Sequence, residues 1–147
     1  MDPRDFLALA RKLGSATAPA ELRTAISRAY YSVFNIACET IRNLGCEVSR
    51  GSDAHGYIRS QLSNCSSDEL KKAGVSIGTL HNHRIRADYE LQECNVENPN
   101  TARLMVKLAD MVISTLDSHV REKAKKEQFK RSLREYEQKI TQHRKSH

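Results

Sequence analysis

The chain has 147 residues, 24 Lys/Arg against 18 Asp/Glu, a formal net charge of +6 and a mean hydropathy of −0.63. That length suits one domain with a core of its own. No apolar run approaches the roughly 20 residues that span a bilayer, and six glycines and three prolines are too few for a β-sandwich or a low-complexity chain.

The predicted elements are helices, marked by their punctuation. Asp2-Pro3 reads as an N-cap followed by proline at the first helical position, where no amide hydrogen is needed. That helix is expected to run to about Lys12 and stop at Gly14-Ser15. The apolar stretch of MDPRDFLALARKL is short and interrupted by charge, which argues against a secretory signal. Pro19 opens a second helix, with Leu22, Ile26, Ala29/Tyr30, Val33, Ala37, Ile41 and Leu44 at helical spacing and Gly45 closing it. A polar loop over Cys46 to Asp53 precedes a short third helix carrying Tyr57, Ile58 and Leu62. Ser66-Ser67-Asp68-Glu69 reads as a capping box, with Ser66 and Glu69 as its reciprocal pair. It starts a fourth helix through Leu91, with interruptions expected near Gly74 and Gly78. Asn98-Pro99 opens a fifth helix, with Met105, Leu108, Val112, Leu116 and Val120 on one face.

The charge is partitioned along this order. Residues 1–118 hold 14 basic and 14 acidic side chains, whereas residues 119–147 hold 10 and 4, so the whole excess lies at the end. Within that tail Phe129, Leu133, Tyr136 and Ile140 recur at spacings of 4, 3 and 4. The tail is expected to be helical, either prolonging the fifth helix or folding back. The expectation is therefore an all-α, antiparallel up-and-down bundle of about five helices over 1–118, its last helix long, and a basic helical extension over 119–147. Cys38, Cys46, Cys65 and Cys94 contain no C-x-x-C pair, so they are expected to be reduced, packed side chains in a cytoplasmic protein. No metal site and no cofactor are expected.

Three clusters could carry chemistry. On the second helix Arg28, Tyr31 and Asn35 share a face and offer donors suited to phosphate or carboxylate. On the fourth, His81, Arg84 and Asp88 share a face, with Arg84 and Asp88 an i, i+4 pair that would fix the guanidinium fork for an anion. His81 and His83 diverge by about 200° and cannot chelate one metal together. His55 stands near the start of the third helix, where the helix dipole favours neutral imidazole, a form able to act as a base. The bland readings are an ion-paired Arg28, a solvated Arg84–Asp88 pair and a capping His55.

These residues carry a resemblance. Leu22 to Phe34, with Ser27-Arg28-Ala29-Tyr30-Tyr31-Ser32-Val33-Phe34 at its centre, resembles the "SRAYYxxF" helix of HEPN domains (higher eukaryotes and prokaryotes nucleotide-binding). Ala54-His55-Gly56-Tyr57-Ile58 resembles the family's "H-G/K-x-I", and Arg84-Ile85-Arg86-Ala87-Asp88-Tyr89 its "R-x-x-x-D-Y". All three agree in order and spacing over roughly residues 3–118. The resemblance implies a five-helix bundle, a homodimer, and an RNA- or nucleotide-binding role in a toxin–antitoxin or phage-defence type of system. It also implies a small nucleotidyltransferase-like partner, and a second alternative is an adaptor that pairs with such a protein and binds no nucleic acid; the lack of a long apolar run gives the expectation of no membrane. Arg28, Tyr31, Asn35, Arg50, Arg86, Asp88 and Tyr89 would bind nucleotide or RNA. Arg121, Lys125, Lys126, Lys130, Arg131 and Arg134 of the tail would add phosphate attraction. Ribonuclease members act without metal through Arg, four to six residues, then His. No such spacing follows the Arg84 segment here, and the literal match is Arg50 with His55. In an enzyme reading, His55 and Arg84 would be catalytic.

Overall fold

The computed structural model describes residues 1–147. It contains six α-helices, one short 3-10 turn and no strand. The helices are α1 (Arg4–Leu13), α2 (Pro19–Asn43), α3 (Ala54–Ser63), α4 (Asp68–Tyr89), α5 (Pro99–Arg121) and α6 (Lys123–Lys145), with the 3-10 turn at Cys94–Glu97. No helix is long and apolar enough to cross a membrane.

Local signals set most helix ends. Asp2 Oδ1 accepts from the Arg4 amide at 2.9 Å, and Asn98 Oδ1 from the Asn100 amide at 2.8 Å. At the end of α2 the Cys46 amide donates to Ile41 O and the Gly45 amide to Arg42 O. That paired reversal needs a left-handed residue, and Gly45 supplies φ +101°.

Two expectations fail locally. The cap of α4 is Ser67, whose Oγ accepts from the Leu70 amide at 3.3 Å. Ser66 lies one residue outside the helix and bonds Ser132 and Gln128 instead, so Ser66 and Glu69 form no box. Helix α4 is also unbroken at Gly74 and Gly78. Gly74 is there for space: a Cβ on it would lie 2.5 Å from Ser63 Oγ and 2.9 Å from Ser63 N. Only a bare Cα lets α4 approach the end of α3 so closely.

The chain forms two compact units that share its long helices: residues 1–36 with 76–113, and residues 37–75 with 114–147. The first has Leu22, Ile26, Tyr30, Ile77, Leu80 and Met105 in its core. The second has Ile41, Ile58, Leu62, Leu70, Leu116, Phe129 and Leu133.

The structure decides between the two courses expected of the tail. The tail does not prolong α5. Glu122 adopts extended backbone, φ −83° and ψ 119°, and α6 starts afresh at Lys123. Phe129 and Leu133 are fully buried in the second unit, each contributing about 1.5–3 kcal/mol. Ser132 Oγ accepts from the Ser66 amide at 3.1 Å. His119, Phe129, Ser132 and Leu133 are thus buried in the second unit, while residues 141–147 at the end of the tail are exposed.

Candidate functional site

In the first unit α2 and α4 bring their motif faces together. Arg84 is buried, with an 8% exposed side chain, because its position on α4 falls over the ring of Tyr30. Its guanidinium carbon lies 5.4 Å from the Tyr30 ring centre, 5.3 Å from Tyr31 and 5.9 Å from Tyr89, all within cation–π range. The Tyr30 ring also packs against His81, centres 5.2 Å apart. Asp88 Oδ2 stands 3.9 Å from Arg84 Nη1, an ion-pair distance too long for a hydrogen bond. The same Oδ2 accepts from Ser27 Oγ at 3.1 Å. Arg28 flanks the group, its guanidinium 5.0 Å from the Phe6 ring and 5.1 Å from Tyr31.

Arg84 Nε is buried without a hydrogen-bond partner. An unmatched buried donor costs about 1–3 kcal/mol, while each ring face returns about 0.5–2 kcal/mol. The three faces together match or exceed that cost, so the guanidinium is held in place with hydrogen-bonding capacity to spare. Tyr89 is 71% exposed, so the cluster reaches solvent along its side. No family model, curated protein or solved structure matches the chain.

The other expected residues sort as follows. Asn35 spends its amide on Tyr31 O at 2.7 Å, a bond within α2. Arg86 is exposed, and its carbonyl serves Arg23. His55, half-buried on α3, and Arg50, exposed in the preceding loop, belong to the second unit, whereas Arg28, Tyr31, Arg84, Asp88 and Tyr89 belong to the first. In the tail, Lys125 pairs with Glu122 at 3.2 Å. Arg121, Arg131 and Arg134 are exposed, while Lys126 and Lys130 are half-buried against the second unit.

Sequence reasoning missed Arg23. Its buried guanidinium donates to five carbonyls, of Arg86, Ala87, Glu90, Leu91 and Glu93, at 2.9–3.3 Å, and its Nε donates to Glu97 at 2.8 Å. It closes the end of α4, where carbonyls lack helical partners, and so anchors the turn carrying Asp88 and Tyr89. Backbone acceptors leave no trace in sequence, which is why this role was invisible.

The second unit holds a different network. Glu137 on α6 accepts from Tyr57 Oη in a very short bond and from Gln61 Nε2 at 2.7 Å. Burial first, then donation to Glu137, holds the Tyr57 phenol well above its ordinary range. Buried His119 has Nδ1 2.8 Å from Thr115 O and Nε2 3.1 Å from Ser67 Oγ. With Nδ1–H donated to the carbonyl, Nε2 accepts from the serine. Burial pushes the Cys38 thiol up to about 11 and Cys65 up to about 12, which makes both poor nucleophiles.

Proposed function

We propose that the protein is a HEPN-like RNA- or nucleotide-binding module of the kind that works in toxin–antitoxin or phage-defence systems, with recognition centred on Arg84. The observation that supports this reading is the Arg84 guanidinium, enclosed by three tyrosine rings and left with an unmatched Nε. A buried, oriented fork with donors to spare suits a phosphate oxygen, and the exposed Tyr89 ring beside it offers a stacking face for a base. Ser27 donates to the Asp88 oxygen nearest Arg84, and the 3.9 Å ion-pair distance leaves the Arg84 charge only partly neutralised. In the same reading α1 to α5 form the antiparallel bundle of the family, two copies associate, and a nucleotidyltransferase-like protein is the natural partner. The exposed cations of α6 supply sequence-independent attraction.

The test is RNA binding by the full chain in EDTA, wild type against Arg84→Met. Binding lost in the variant with its melting temperature kept supports the reading, and binding unchanged defeats it. The same reactions examine the enzyme reading. RNA cleavage that disappears in His55→Ala would make the protein a metal-independent ribonuclease with His55 as base.

A further inference from the structure

The first unit has a second cationic site, between the end of α1 and the first half of α5. A groove of about 320 Å³ opens there, floored by Gly14, Ser15 and Val106 and rimmed by Arg11, Arg103, Lys107 and Asp110. The geometry points to a binding site for a phosphate monoester in this groove, independent of the Arg84 cluster.

Three cations and one carboxylate leave the rim at +2. A phosphate monoester carries about −1.5 to −2 at neutral pH, which matches that charge. A diester, with a single charge, would leave one cation uncompensated. The rim is also oriented. Arg11 Nη2 donates to Asp110 Oδ1 at 2.7 Å across a sequence separation of 99, which fixes the guanidinium while using one of its five N–H donors. Both partners are more than half exposed, 53% and 54%. A pair so exposed does little for stability, and its effect is to aim the fork. Arg103 is tied in turn to Asn100 Oδ1. Lys107 has no carboxylate within ion-pair reach, so its ammonium is available to the groove.

The closing turn of α1 would repel an anion if its carbonyls were bare. Three of the last four are engaged: Ala10 O, Lys12 O and Leu13 O accept from the Gly14, Ser15 and Ala16 amides. The volume lies at the lower end of small-ligand sites, enough for a phosphate and a sugar- or base-sized body.

The experiment is calorimetric titration of the full chain with AMP, adenosine, 3′,5′-cyclic AMP and inorganic phosphate. The Arg103→Ala/Lys107→Ala double variant and Arg84→Met are titrated alongside, with melting curves for each. Both groove residues are exposed, so the double variant should fold normally. AMP should bind saturably, adenosine should not bind, and the cyclic diester should bind more weakly. The double variant should weaken this AMP site by about tenfold or more, and a saturable AMP site should persist in Arg84→Met. Inorganic phosphate as tight as AMP would identify free phosphate as the ligand; weaker phosphate would identify a phosphorylated small molecule. The proposal is overturned by the absence of saturable AMP or phosphate binding at millimolar concentration, by equal affinity for the cyclic diester, or by binding that survives the double variant. Loss of AMP binding in Arg84→Met alone would assign the ligand to the aromatic cluster and also overturn it. RNA binding by the Arg84 cluster can fail while the groove still takes AMP, so the two readings fail separately.

Discussion

The two compact units differ in how they hold their buried polar groups. The second joins them to one another, Tyr57 and Gln61 to Glu137, Ser66 to Ser132 and Ser67 to His119, with Gln61 Oε1 left unpartnered. Each of those bonds except the last joins α6 to the rest of its unit, so the network works as a clasp. The first unit buries two arginines, Arg23 and Arg84. Arg23 is saturated with acceptors, whereas Arg84 has rings around it and a donor left over. A polar group whose partners are all internal fixes structure. Arg84, fixed by aromatic walls, keeps a donor that no internal partner uses.

The sharpest way to break that contrast is to remove each arginine. Arg23→Ala leaves Glu97 and five carbonyls without their donor and should cost about 3–5 kcal/mol in urea unfolding. Gly74→Ala tests the packing of the clasped unit. In an ordinary helix the change would stabilise by up to about 1 kcal/mol, but here the new methyl meets Ser63 and should destabilise by about 1–3 kcal/mol. Arg84→Met replaces a cation by an apolar chain of similar length. It should change stability by no more than about 1–1.5 kcal/mol, while abolishing RNA binding. A loss as large as that of Arg23→Ala would make Arg84 structural and erase the distinction.

A smaller effect probes the clasp through pH. The folded state raises the Tyr57 phenol above its ordinary value near 10. The unfolded chain therefore releases that proton first, so stability is intact below about pH 10 and falls as pH rises beyond it. The raised Cys38 and Cys65 thiols act in the same direction from about pH 8.5. Unfolding measured from pH 8 to 11 should show wild type losing stability throughout. Tyr57→Phe should match that slope below pH 10 and decline less steeply above it.

Helix existence and most helix ends were legible because their causes are local. Asp2-Pro3, Asn98-Pro99 and Gly45 act through neighbours one to four residues away. The Arg28–Tyr31 and Arg84–Asp88 faces were legible for the same reason, since helical spacing fixes which side chains share a side. The meeting of those faces was not, because Arg84 stacks on tyrosines more than 50 residues earlier. The Ser66–Glu69 box failed because Ser66 has a better partner in Ser132, 66 residues on. Arg23 and Gly74 were opaque because what they touch is main chain and close packing, which no residue pattern encodes. The tail was half legible: its stripe from Phe129 to Ile140 was visible, but the target of that stripe was not.

The single extended residue between α5 and α6 has a consequence for assembly. With Glu122 in helical dihedral angles, residues 99–145 would form one rod of roughly 70 Å. Phe129 and Leu133 would then leave their own core, and a second copy's vacated groove would be the nearest place to bury them. The clasp of Tyr57, Gln61 and Glu137 thus also guards against exchange of arms. Weakening it invites domain-swapped dimers, which form most readily where a short hinge separates an element from a core it can find equally well in its twin.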